Sequence, residues 1–158
     1  MKNKTRILLF LCMIPLLLGF QKENANTKET FLSSIEKEVL DVVNEERAKE
    51  GLPMLMLDVH LCEAADIRAE EITNLFSHTR PDGSEWWTVD IERAYGENLA
   101  KNYETAEEAM NGWMNSPGHK SNILSPDFKT IGVSVYEKDG RYYFVQLFGF
   151  KKNILSEQ

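Results

Sequence analysis

The run Tyr142-Tyr-Phe-Val-Gln-Leu-Phe148 is apolar at consecutive positions, interrupted only by Gln146. A strand sends alternate side chains to opposite faces, so a run that is apolar at both parities has to be covered on both faces. Just upstream, Ile131, Val133 and Val135 alternate with Gly132, Ser134 and Tyr136, which gives a second strand one strongly apolar face. Lys138-Asp-Gly140 between them is hairpin turn chemistry. A hairpin whose return strand is doubly covered needs layers above and below its sheet. The upstream chain is largely helical in pattern. The expectation is therefore an α+β domain, a three-layer α/β/α sandwich around a central antiparallel sheet.

Leu32, Ile35, Val39, Val42 and Val43 recur at helical spacing, and Gly51 and Pro53 stop that helix. Asp58 is the next N-cap candidate, followed by a stripe of Leu61, Ala65, Ala69, Ile72 and Phe76. Cys62, beside the stripe, reads as a small buried hydrophobe. Ser77 to Ser84 is a loop, with turn chemistry at Pro81-Asp-Gly83, and Glu85-Trp-Trp-Thr88 reads as a short helical turn. Tyr95-Gly-Glu-Asn-Leu-Ala100 fits either a strand or a loop. Thr105-Ala-Glu-Glu108 predicts a capping box ahead of a helix burying Ala106, Ala109, Met110, Trp113 and Met114. Ser116-Pro117 then starts another helical turn, with Ser116 as cap and His119 in the first turn, before Ser125-Pro126 breaks the chain again.

Lys2, Lys4 and Arg6 precede an unbroken apolar stretch from Ile7 to Leu18, too short for a comfortable membrane span. Residues 1–20 are thus expected to be a Sec signal peptide, 21–30 a polar spacer, 31–150 the folded domain and 151–158 a C-terminal tail. Cys12 lies in the leader, which leaves Cys62 alone, so the domain must stand on its core rather than on disulfides. The hydrophobic share, 42%, is sufficient for that core. The net charge of −7 becomes more negative still if the basic leader is removed. Such a body argues against nucleic acid and against adsorption to anionic lipid, so membrane contact is expected only through an uncleaved signal segment.

Asn44-Glu-Glu-Arg47 with Gly51-Leu52, Leu57-Asp58 and Arg68-Ala69-Glu70 resembles the opening of bacterial CAP-superfamily domains. These SCP-like domains are relatives of cysteine-rich secretory proteins, antigen 5 and plant pathogenesis-related proteins. Ser77-His78 with Arg80-Pro-Asp-Gly83, Gly96-Glu-Asn-Leu-Ala100, Trp113-Met-Asn-Ser-Pro-Gly-His119 with Asn122-Ile-Leu124, Ile131-Gly-Val133 and Tyr143-Phe-Val-Gln-Leu-Phe148 are similar to its successive signatures. The order and spacing carry the resemblance, from about Leu32 to Phe148. It implies an α/β/α sandwich and a bacterial protein of the extracellular space or cell envelope.

The resemblance also implies a cleft with two histidines and two acidic residues. His78, Glu97 and His119 fall on three of those positions, whereas Ser116 stands where the fuller family has a Glu, three residues after Trp113. The candidate cleft is therefore His78, Glu97, Ser116 and His119, with Asp82 as a candidate to approach it from the loop and His60 as a surface or capping residue. Gly96 and Asn98 flank Glu97 and suit a backbone in unusual φ/ψ. Two neutral imidazoles are the usual start of a zinc site, with His78 and His119 as donors and Glu97 as the group that orients a ring.

Three functions compete. The first is a non-enzymatic binding module for a lipid or other small apolar ligand, a glycan or a protein, with a divalent metal, zinc, in the cleft. The second is a metal- or His-dependent hydrolase in which His78, Glu97 and His119 are catalytic. The third is a structural envelope-associated domain.

Overall fold

A computed structural model describes residues 33–150; the expected signal peptide, the whole expected spacer, residues 31–32 and the tail lie outside them. The elements are α1 (Ser34–Lys49), β1 (Met56–Leu57), α2 (Val59–Asn74), a 3-10 turn (Trp86–Val89), β2 (Gly96–Lys101), α3 (Ala106–Met114), α4 (Pro117–Ile123), β3 (Thr130–Lys138) and β4 (Arg141–Gly149). The ambiguous stretch around Glu97 is thus a strand.

Caps explain several of these boundaries. Ser33 and Glu36 form a complete capping box at α1, and Asp58 accepts from the backbone N–H groups of His60 and Leu61 to start α2. The box expected at Thr105 is only half made. Thr105 accepts from the Glu108 N–H, but the Glu108 carboxylate reaches past it to the Glu104 N–H. Between β3 and β4, Asp139 and Gly140 both have positive φ, 53° and 71°, which suits the tight hairpin.

The four-stranded sheet runs β1-β3-β4-β2. β2, β4 and β3 are antiparallel neighbours, and β1 adds a two-residue parallel pairing, Met56 opposite Thr130 and Leu57 opposite Ile131. Alternation along β4 divides the core as the sequence required. Phe144 and Phe148 pack with Val39, Val43, Ala109, Trp113 and Ile123 from α1, α3 and α4. Val145 and Leu147 pack with Leu61, Ala65, Ala69 and Ile72 from α2. Close approach of α2 to β3 explains one glycine: a Cβ on Gly132 would lie 2.2 Å from the Leu61 backbone carbon. Cys62 is buried in this layer, and burial pushes its thiol up to about 11.

Side chains occupy backbone groups along both sheet edges. On β2, Trp113 Nε1 donates to the Leu99 carbonyl at 3.1 Å and Asn122 Nδ2 to the Glu97 carbonyl at 3.2 Å. On β3, beyond the short β1 pairing, the Val135 N–H donates to Glu36 Oε1 at 3.0 Å.

Candidate functional site

His78 leaves the end of α2 in a loop fixed on both sides. Arg68 Nη2 donates to the Ser77 carbonyl at 2.7 Å, and the Trp86 N–H donates to the His78 carbonyl at 3.0 Å. Arg80 grips Glu71 on α2 through Nη2 to Oε1 at 2.7 Å and Nε to Oε2 at 3.2 Å, a bidentate pairing that ties the loop to the helix. Burial pushes the Glu71 carboxyl up, but the hydrogen bonds and charges of Arg80 and Arg68 outweigh it and hold it below the ordinary value. Asp82 is spent on the turn, accepting from the Ser84 N–H at 2.9 Å and the Ser84 hydroxyl at 2.6 Å.

Glu97, on edge strand β2, turns its side chain toward the α2 layer, where it is fully buried. Its Oε2 accepts from Arg68 Nε at 2.8 Å, and its Oε1 faces His78 Nδ1 at 2.7 Å. The Arg68 side chain is also fully buried and makes a further 2.6 Å bond to Glu71. Against burial, which lowers it, the two carboxylates raise the Arg68 pKa. A ring nitrogen facing a carboxylate carries the proton, so Nδ1 of His78 is the donor and Nε2 is the nitrogen left for another partner. The His78 side chain is 54% exposed, so the pair joins a buried carboxylate to a solvent-facing ring.

The expectation of unusual backbone around Glu97 is corrected: neither Gly96 nor Asn98 has positive φ. Gly96 is small because a Cβ there would crowd the Phe128 ring at 3.0 Å. Asn98 is a buried hydrogen-bonding residue that faces the α4 layer, with its Nδ2 donating to the His119 carbonyl at 3.1 Å.

His119 occupies the first turn of α4, as expected, but the role given to Ser116 is corrected. Ser116 holds the N-cap position and its side chain makes no capping bond. The helix begins instead through Pro117, whose fixed φ suits the position, and through the Lys120 N–H donating to the Ser116 carbonyl at 2.9 Å. The half-buried His119 ring lies near enough to His78 to feel its charge. Burial first, then that charge, lowers the His119 pKa from the ordinary 6.5. The sign follows from linkage. The unfolded ring binds its proton more readily than the folded one, so this contribution to stability is whole above 6.5 and is lost as pH falls through the folded value. In an NMR titration, His119 should show a midpoint below the ordinary 6.5; a midpoint at or above it would contradict the packing described.

The structure therefore brings His78, Glu97 and His119 to one edge of the sheet, two from the α2 side and one from α4. Ser116 stands half-buried at the head of α4, while His60 and Asp82 take other tasks. Among the described residues no group of three or more His, Cys, Asp and Glu is placed to hold a metal ion. The sequence reading missed Arg68, Asn98, Asn122 and Gln146 as parts of the site. Arg68 did carry a readable signal, because it falls between Ala65 and Ile72 on the apolar stripe of α2.

The profile of the cysteine-rich secretory protein family, CAP, matches residues 40–148. The YkwD protein of Bacillus subtilis is 36% identical over 138 residues, covering 82% of this chain and 53% of that protein. An extracellular SCP-domain protein from Bacillus anthracis superposes with a TM-score of 0.66 at 28% identity, over 73% of this chain and 40% of that one. An outer surface protein of Borrelia burgdorferi gives 0.65 at 28% identity, over 73% of this chain and 92% of that one. NaASP2, whose structure was determined with Zn2+, shares the fold with a TM-score of 0.59 at 13% identity, over 81% of this chain and 85% of that one. The chain spans about half the length of YkwD and less of the anthracis protein. Among the described residues no helix is long and apolar enough to cross a membrane. With its layers, its sheet order and the family pattern running from α1 to the end of β4, the chain belongs to the cysteine-rich secretory protein (CAP) family.

Proposed function

We propose that this is an extracellular binding module whose cleft takes a divalent cation, zinc first, on His78 and His119. The observation that carries the reading is the His78 Nδ1–Glu97 Oε1 contact of 2.7 Å, backed by Arg68 at 2.8 Å. It fixes the tautomer, leaves Nε2 unprotonated and occupies both carboxylate oxygens, so Glu97 orients a ring rather than ligating. The neutral His119 supplies the second imidazole.

Two donors do not make a closed structural zinc site, which wants four protein ligands. They suit an open one in which solvent or a group on the bound partner completes the coordination. The metal would then act as a Lewis-acid anchor for a ligand that is apolar, glycan or protein. Delivery by a leader in residues 1–20 agrees with the extracellular and outer-surface neighbours.

Zinc titration by calorimetry tests this. The wild-type domain should bind, and His78→Ala and His119→Ala should each bind at least about tenfold more weakly. Equal binding by all three proteins sinks the metal reading. Affinity should fall in acid, because ligation needs neutral imidazole. The His78–Glu97 pair also suits a general base, which keeps a hydrolase as the second reading. Cys62 supplies no covalent nucleophile for that reading, being buried with its thiol pushed up to about 11.

A further inference from the structure

We infer that Asn98 is a positioning residue for the cleft: it holds the His119 segment against β2 just as its neighbour Glu97 holds His78. The inference deepens the metal-binding reading and rests on it for its affinity readout.

Adjacent residues of a strand face opposite ways. Glu97 therefore reaches into the α2 layer and Asn98 into the α4 layer, from consecutive positions of one edge strand. Asn98 is fully buried, and its side chain is used on three sides. Its Nδ2 donates to the His119 carbonyl at 3.1 Å and to Gln146 Oε1 at 3.0 Å. Its Oδ1 accepts from Asn122 Nδ2 at 2.9 Å, and the same Asn122 nitrogen lies 3.2 Å from the Glu97 carbonyl. Gln146 sits directly opposite Asn98 in the β2–β4 register, so the neighbouring strand aims the Asn98 amide.

The consequence is geometric. α4 has only seven residues and its Ser116 makes no side-chain cap, so little within the helix fixes its position along the strand. The Asn98–His119 and Asn122–Glu97 bonds supply that register. The spacing of the two imidazole-bearing segments is then set by the spacing of two consecutive residues on β2. A buried amide with both donors and its acceptor engaged also resists rotation, since turning it would leave polar groups unpaired.

Asn98→Asp tests this best, because it keeps the size and the acceptor and removes both donors. Asn98→Ala removes everything. A core variant on the far layer, Val145→Ala, controls for general loss of stability. The inference predicts that Asn98→Asp and Asn98→Ala bind zinc at least about tenfold more weakly than wild type, while Val145→Ala keeps wild-type affinity. It also predicts that metal-free NMR spectra of Asn98→Asp show amide shifts at residues 118–122 that Val145→Ala does not produce. Wild-type zinc affinity in Asn98→Asp would overturn the positioning role. If wild type binds no zinc, the metal reading fails and the spectra decide: undisturbed amides at 118–122 overturn the positioning role, and displaced ones sustain it. Should Asn98→Asp not fold, because it buries a carboxylate against the His119 carbonyl and Gln146 Oε1, Asn98→Ala carries both readouts and the same outcomes decide.

Discussion

Arg68→Met should destabilise the domain by about 3–5 kcal/mol, the cost of leaving one member of a buried ion pair without its partner. Both side chains of the Arg68–Glu97 pair are fully buried. Removing the guanidinium strands the Glu97 carboxylate between the sheet and α2, and also frees the Ser77 carbonyl and Glu71. Urea unfolding at neutral pH measures the loss. Arg68→Met combined with Glu97→Gln should recover part of it, because the orphan charge goes with the second change. A loss below about 1 kcal/mol in the single variant, the size of an exposed pair, would mean that Glu97 is solvated and not held as described. The variant should also release His78, so zinc affinity should fall together with stability. A domain that unfolds more easily but binds zinc as before would separate the carboxylate from the cleft.

The second large effect is expected at Arg47→Met, about 3–5 kcal/mol, from stranded acceptors. Arg47 is fully buried at the end of α1, and burial lowers its pKa. Its Nη1 donates to the Ile123 carbonyl at 2.7 Å and the Ser125 carbonyl at 2.8 Å, and its Nε to the Pro53 carbonyl at 2.9 Å. It thus fastens the C-terminal end of α4 and the chain before β1 to one point. A cation on the last carbonyls of a helix is favourable in its own right. Arg47→Lys should recover only a fraction, because a single ammonium cannot span the three acceptors with the same fork. Thermal melts of the three proteins check the order wild type, lysine, methionine. Equal melting of the lysine and methionine variants would show that charge, not geometry, matters there.

The parts of this fold that were legible in the sequence are those with a local period or a local rule. The doubly apolar run ending at Phe148 demanded two covering layers, and Asp139-Gly140 demanded a tight turn. The histidine-bearing motifs were legible as a family pattern, without the geometry that joins them. What stayed hidden depends on contacts between distant residues. Met56 and Leu57 are exposed and only two residues long, so nothing local announces a parallel pairing with β3. Gly96 is dictated by a ring 32 positions away at Phe128, not by its own φ. Ser116 is the reverse case: its residue type favours capping, yet its side chain makes no such bond. Asn98 reads locally only as a residue that tolerates unusual φ/ψ, while its partners lie on β4 and α4.

The occupied edges of the sheet bear on how the domain behaves in company. An open strand edge is a template on which other chains can add, and natural sheets block it with bulk or charge. Here the indole of Trp113, the carboxamide of Asn122 and the carboxylate of Glu36 already sit on backbone groups that an incoming strand would claim. Intruders would have to dislodge a core indole at one edge and dismantle the cap of α1 at the other. These contacts thereby act as gatekeepers against runaway sheet growth at both edges.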